Sequence, residues 1–192
     1  RFWQAWLYMA VLFTPMIVFG IYLLRYNRAL LARRLKAREA ETAQRWILAG
    51  FFLTFLALFI IPGLDYRFGW TTVPTWLVLV ADLLVLVGYL LVIYVLLTNE
   101  YAARTIEVEA AQPVISTGPY ALVRHPMYTA MALMIVFSAL ALGSYWALLP
   151  AALFVLLLVA RILNEEQVLR RDLAGYPAYC QSVKYRLLPG VW

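Results

Sequence analysis

The chain has one cysteine and one histidine in 192 residues, and charged side chains make up only 14% of it. A lone Cys180 excludes an intramolecular disulfide framework and any multi-cysteine metal site, and it reads as a small side chain packed near an interface. Scarce charge beside 65% hydrophobic residues and a mean hydropathy of +0.80 excludes a soluble globule. No stretch is left over for a soluble domain of any size, and no internal repeat or low-complexity tract is present. The period-two alternation of a membrane β-strand is also missing. The first apolar run is too long for a secretory leader and lacks a small-residue cleavage site, so it is expected to remain as a membrane helix.

Five long apolar runs occupy what is left, at about 3–24, 46–61, 74–98, 127–142 and 146–163. As helices they can cross, or nearly cross, roughly 30 Å of hydrocarbon. The sequence therefore predicts an all-α integral membrane protein with five transmembrane helices, the second and fourth short. Lys and Arg resist translocation, and they fall mostly on one side. Arg25, Arg28, Arg33, Arg34, Lys36, Arg38 and Arg45 follow the first span. Arg104 and Arg124 follow the third, and Arg170, Arg171, Lys184 and Arg186 follow the fifth, whereas Arg1 and Arg67 fall opposite. The N-terminus is thus expected outside and the C-terminus in the cytosol. The net charge of +6 clusters at these membrane edges, which points to anionic lipid headgroups rather than nucleic acid.

Local signals divide the chain further. Residues 25–45 read as a charged surface helix with a partial apolar face of Leu30, Leu31 and Leu35. Pro62-Gly63 reads as the stop of the second span, and Asp65 to Trp70 as an outer loop with an aromatic belt of Tyr66, Trp70 and Trp76. Residues 99–124 form the longest polar stretch between spans, with Glu100, Arg104, Glu107 and Glu109, long enough to fold over a site. The uncharged Gly143-Ser144-Tyr145 forces the last two spans into a tight antiparallel hairpin. One domain is expected, with residues 1–98 as three N-terminal helices and residues 99–192 as the chemical half.

The chemistry concentrates at Gly118-Pro119-Tyr120 and Val123-Arg124-His125-Pro126-Met127-Tyr128. A helix starting at Pro126 would present free N–H groups and a positive dipole end to an anion. Read blandly, Arg124 is a topogenic charge and His125 a bystander. Tyr128, three residues on, can share a face with His125, and the Gly-Pro turn can aim Tyr120 at it. At the far end of the hairpin, Arg161, Glu165 and Glu166 leave the lipid together. Arg161 and Glu165 have the spacing of a simple intrahelical ion pair, which explains one glutamate but not both. The short hairpin brings the two clusters to the same end, and ionisable groups at membrane depth mark function. Asp82, deep in the third span, carries the same flag without an evident partner.

These motifs, together with the tail residues Tyr176, Tyr179 and Leu188-Pro189, resemble the isoprenylcysteine carboxyl methyltransferase family and its phospholipid N-methyltransferase relatives, over residues 99–192. The resemblance implies S-adenosylmethionine in a cytosol-facing pocket of a bacterial cytoplasmic membrane. Tyr120, Arg124, His125, Tyr128, Glu165, Glu166, Tyr176 and Tyr179 fall on the cofactor side, with the C-terminal helix and tail as its cap. It makes Arg161 the residue that orients the acceptor; on chemical grounds an amine acceptor also needs a base to take its proton, and Glu166 is the candidate. The acceptor itself is a lipophilic or lipid compound, methylated on a carboxylate as in an isoprenylcysteine or on the nitrogen of an aminophospholipid. Gly175 to Tyr179 departs from the Phe-Gly-x-x-Tyr pattern of eukaryotic members, so a prenyl-cysteine acceptor does not carry over. Methyl transfer from a sulfonium needs positioning and charge placement rather than a metal. Two other readings stand beside it: an NADPH-dependent sterol-type reductase, which shares an Arg-His-Pro hairpin but has more spans, and a non-enzymatic scaffold or sensor.

Overall fold

The computed structural model describes residues 2–35, 42–101 and 112–192, and over these the chain is helical, with no strand. Arg1, Lys36, Arg38, Arg104, Glu107 and Glu109 lie outside the described residues. The order is α1 (Trp3–Tyr26), α2 (Arg28–Leu35), α3 (Thr42–Phe68), α4 (Thr75–Thr98), a single 3-10 turn (Gly118–Ala121), α5 (Pro126–Ala141), α6 (Leu148–Asp172) and α7 (Tyr176–Ser182). Four of these helices, α1, α3, α4 and α6, are long and apolar enough to cross a membrane. The expected fourth span is the 16-residue α5, about 24 Å long at 1.5 Å per residue, short of the hydrocarbon thickness.

The second apolar run differs from expectation. Pro62-Gly63 does not stop it, and α3 continues to Phe68 with Pro62 inside the helix. Proline in a membrane helix is tolerated where packing re-satisfies the freed carbonyl, and Pro62 is fully buried. Asp65 therefore sits in the last turn of α3 instead of in a loop. Gly69, at φ 65°, takes the left-handed position that ends the helix, its N–H donating to the Asp65 carbonyl at 2.7 Å. The Asp65 carboxylate accepts from the Thr71 N–H at 2.7 Å and from the hydroxyls of Thr71 and Ser144. This fully buried aspartate staples the α3–α4 loop to the turn between α5 and α6.

Helix packing follows from where small residues fall. In lipid there is little apolar gain from burial, so close backbone approach and dispersion hold helices together. α4 packs chiefly on α5, and α3 on α6. At Gly88 the approach leaves no room for a side chain, since a Cβ would lie 2.6 Å from Met134 Cγ and 3.2 Å from the Ala130 carbonyl oxygen. Ala139, Ala147 and Ala151 are buried together where α5 meets the start of α6, beside Leu58, Phe154 and Leu158. Large apolar side chains such as Val18, Phe52, Leu83 and Leu156 point outward, as suits a bundle solvated by acyl chains. Asp82 is 4% exposed and neither of its oxygens has a partner among the described residues. Its neighbourhood includes the Tyr8 hydroxyl, bonded to Ser138 at 2.7 Å.

Candidate functional site

The site begins with the start of α5. Gly118, at φ 57°, turns the chain into the 3-10 segment, and Pro126 occupies the first position of α5, where its fixed φ and missing N–H are harmless. The N–H groups around the start of α5 are already used. Arg124 N–H donates to the Tyr185 carbonyl at 2.9 Å and His125 N–H to the Arg186 carbonyl at 3.0 Å, while Tyr128 and Thr129 donate back to His125. The expected anion site at the helix N-terminus is thus largely filled by the chain's own C-terminal strap. Thr129 Oγ1 adds a third tie, donating to the Leu187 carbonyl at 2.8 Å.

Against this start lies the end of α6, and between them a cavity of about 330 Å³ opens. That falls in the size range of small-molecule sites. Tyr120, Arg124, His125, Tyr128, Arg161, Glu165, Tyr176 and Tyr179 all line it. Eight of the nine residues proposed from sequence for cofactor or chemistry therefore share one space. Glu166 is not among the lining residues and is 3% exposed. Its oxygens accept from Arg124 Nε at 2.8 Å, His125 Nε2 at 3.3 Å and Arg186 Nη2 at 3.1 Å. The sequence did not anticipate this split, although adjacent helical residues diverge by about 100° around the axis.

On the cavity side, Arg161 Nε donates to the Tyr128 hydroxyl at 2.8 Å, and that hydroxyl donates to Glu165 in a short bond. The Arg161 guanidinium also lies over the Tyr128 ring, 6.0 Å from its centroid. A cation, a phenol and a carboxylate thus form a continuous chain, with Arg161 only 5% exposed. The His125 ring stacks on Tyr128 at 5.7 Å. Charge-assisted bonds of this kind hold side chains in one geometry, so the cavity presents a pre-set array of donor and acceptor.

The tail builds the opposite wall. Tyr179 donates to the Tyr120 carbonyl at 2.7 Å, which docks α7 on the 3-10 turn. Tyr176 is 3% exposed, and its hydroxyl is buried without a partner among the described residues. Burial pushes the Tyr120 phenol up to about 12; a hydrogen bond from Asn99 opposes this, and the nearby Glu165 charge adds to it. Tyr176 and Tyr179 are raised further, burial again first, with Glu166 reinforcing it at Tyr176 and Tyr120 at Tyr179. All three remain neutral donors at physiological pH.

Several contributors escaped the sequence reading. Asn99 Nδ2 donates to the Tyr120 hydroxyl at 3.0 Å, and Asn99 was legible only as a polar residue ending a span. Gln112 to Ile115 line the cavity, as do Arg34 and the apolar Leu48, Phe51 and Met131. Leu48 and Phe51 lie on α3 and Arg34 on α2, far from the motifs in sequence. Arg186, read as a topogenic charge, is a partner of Glu166.

No match is found among the curated proteins. The model of the phospholipid methyltransferase family matches residues 76–174, which carry α4, the 3-10 turn, α5, α6 and most of the cavity's polar wall. That family includes the membrane methyltransferases resembling isoprenylcysteine carboxyl methyltransferase. The match begins one helix earlier than the motifs suggested and ends before the tail. With half of its length so matched, the chain belongs to the phospholipid methyltransferase family.

Proposed function

We propose that the protein is an S-adenosylmethionine-dependent methyltransferase acting on a lipophilic acceptor held in the membrane. The carrying observation is the single cavity in which Arg161, Tyr128 and Glu165 are chained together and the Tyr176 hydroxyl is buried without a partner. A buried orphan donor is stabilised by a ligand acceptor, and a cofactor with a carboxylate, ribose hydroxyls and a sulfonium offers acceptors to tyrosines and donors to a glutamate. The residues present fit such a group. Tyr120, Tyr176 and Tyr179 would bind it through hydroxyls and ring faces, with the Arg124 guanidinium and the His125 ring on the same wall at the start of α5. When bound, it supplies an electrophilic methyl group on sulfur.

The protein's own part is to place the acceptor and manage its charge. Arg161 would orient a carboxylate acceptor by paired hydrogen bonds. An ammonium acceptor must lose a proton before its nitrogen can attack, and Glu165 is the carboxylate on the cavity wall to take it. Glu166, favoured for that role from sequence, is held by Arg124, His125 and Arg186 behind the wall, and its part becomes that of an anchor. The apolar lining of Leu48, Phe51 and Met131 suits an acyl or prenyl chain.

Five membrane passages, with the N-terminus outside and the cavity on the cytosolic side, complete the reading. In support, Arg34 of the basic α2 lines the same cavity as the start of α5 and the end of α6, so the arginine-rich edge and the site share one end of the bundle. The test is methyl transfer from labelled S-adenosylmethionine to membrane lipids. Arg161→Ala is expected to abolish transfer while retaining cofactor binding. Transfer at the wild-type rate in that variant would remove Arg161 from the mechanism.

A further inference from the structure

Tyr120, Tyr128, Tyr176 and Tyr179 all line the cavity, but their hydroxyls are not equivalent. Tyr128 accepts from Arg161 and donates to Glu165, so it is committed on both sides. Tyr179 gives its proton to the Tyr120 carbonyl, and Tyr176 has no partner among the described residues. Tyr120 differs from all three. Its hydroxyl oxygen accepts from Asn99 Nδ2 at 3.0 Å, while its proton meets no acceptor among the described residues.

The direction of the Asn99–Tyr120 bond follows from the backbone beside it. Asn99 closes α4, its own N–H donating to the Val95 carbonyl at 2.9 Å. Its side-chain Oδ1 accepts from the Tyr101 N–H at 3.0 Å. A carboxamide turned over would set its NH2 against that N–H, donor on donor, so Nδ2 is the end that faces Tyr120. A phenol O–H lies near the plane of its ring and has two orientations in it. The one toward Asn99 is closed by an N–H, and the proton takes the other. The ring cannot easily turn away, because Tyr179 holds the Tyr120 carbonyl and the 3-10 turn packs on the end of α4. Burial pushes the phenol up to about 12, so it keeps its proton at physiological pH.

Resting on the methyltransferase reading, we infer that Asn99 is a positioning residue, which presents the Tyr120 hydroxyl as a donor to an acceptor atom of the bound cofactor. Both ends of the Asn99 amide are engaged, so its effect on the ligand passes through the phenol. Aspartate at this position reverses the polarity at nearly the same size. Its carboxylate keeps the bond from the Tyr101 N–H and accepts the Tyr120 proton, which takes the donor away from the ligand.

The test is a double-mutant cycle on the full-length chain in detergent micelles, with S-adenosylmethionine binding read by calorimetry. Tyr120→Phe, which deletes the donor, is expected to weaken binding about tenfold, and Asn99→Asp to do the same. The two changes together are expected to cost about tenfold as well, not a hundredfold, because the second has nothing left to remove. A role of Asn99 in ending α4, or a direct effect of the new charge on the sulfonium, would persist in the Tyr120→Phe background. The cycle is repeated with Asn99→Ala, which leaves the phenol unheld. A smaller loss of about threefold is expected there, again absent in the Tyr120→Phe background, so the test survives a poorly folding aspartate variant. Wild-type affinity in both Asn99 variants overturns the inference, as do losses that multiply with that of Tyr120→Phe; either result leaves the methyltransferase reading intact. Absence of S-adenosylmethionine binding in wild type sinks the underlying reading and the inference with it.

Discussion

Replacing Glu166 by alanine removes the partner of a buried cation, and the size of the effect follows from which cations can recover. Arg170 and Arg186 have side chains 48% and 27% exposed, so water can take over much of their solvation. Arg124 is only 5% exposed along its side chain, and its remaining partners are the carbonyls of Val183 and Lys184, accepting from Nη1 at 2.9 and 3.0 Å. Removing one member of a buried pair destabilises by about 3–5 kcal/mol. Because two of the cations are partly solvated, about 3 kcal/mol is expected here. For a chain of this length that corresponds to a fall of about 10 °C in the thermal midpoint, read by a thiol- or tryptophan-based melting assay in detergent. The loss should be visible locally too, because Arg124 grips the strap: amide exchange of residues 183–187 should accelerate more than that of α4. Pairing Glu166→Ala with Arg124→Ala should recover part of the loss, since no uncompensated charge then remains. A midpoint within about 3 °C of wild type, with exchange of the strap unchanged, would refute the argument that Glu166 anchors the tail.

Two further outcomes follow. Gly88→Leu should destabilise by about 1–3 kcal/mol, since its Cβ alone meets Met134 and the Ala130 carbonyl; a melting midpoint equal to wild type would show that α4 and α5 do not pack so closely. Tyr120 carries a phenol pKa raised to about 12, so folding keeps it protonated where the unfolded chain does not. Its contribution is whole below about pH 10 and is lost as pH rises through about 12; the alkaline decline in the melting midpoint should be shallower in Tyr120→Phe, and an identical slope would count against the assignment.

Much of this was legible from residue order because lipid imposes simple rules. Long apolar runs gave α1 and α4 within a few residues and the start of α6, which continues past the expected end at 163 to Asp172, and the uncharged Gly143-Ser144-Tyr145 fixed the hairpin that joins the two polar clusters. Pro62-Gly63 misled because a local breaker rule competes with tertiary packing, and in α3 packing prevailed. The two glutamates could not be separated by reading, since their roles depend on how α6 is rotated against α5. The strap was harder still. Its carbonyls at 185 and 186 fill the start of α5, an arrangement that rests on backbone groups and leaves no trace in side-chain pattern. Arg34 and Arg186 looked like topological charges, and only their positions beside the cavity and Glu166 distinguish them from Arg25 and Arg28.

The ligand of the cavity decides between a methyltransferase and a reductase. Calorimetric titration of the purified full-length protein with S-adenosylmethionine, and separately with NADPH, tests this directly. The expected result is saturable one-to-one binding of S-adenosylmethionine, displaced by S-adenosylhomocysteine and weakened in Tyr176→Phe, with no binding of NADPH. Binding of NADPH, or no binding of S-adenosylmethionine up to about a millimolar, where even weak sites fill, would contradict it.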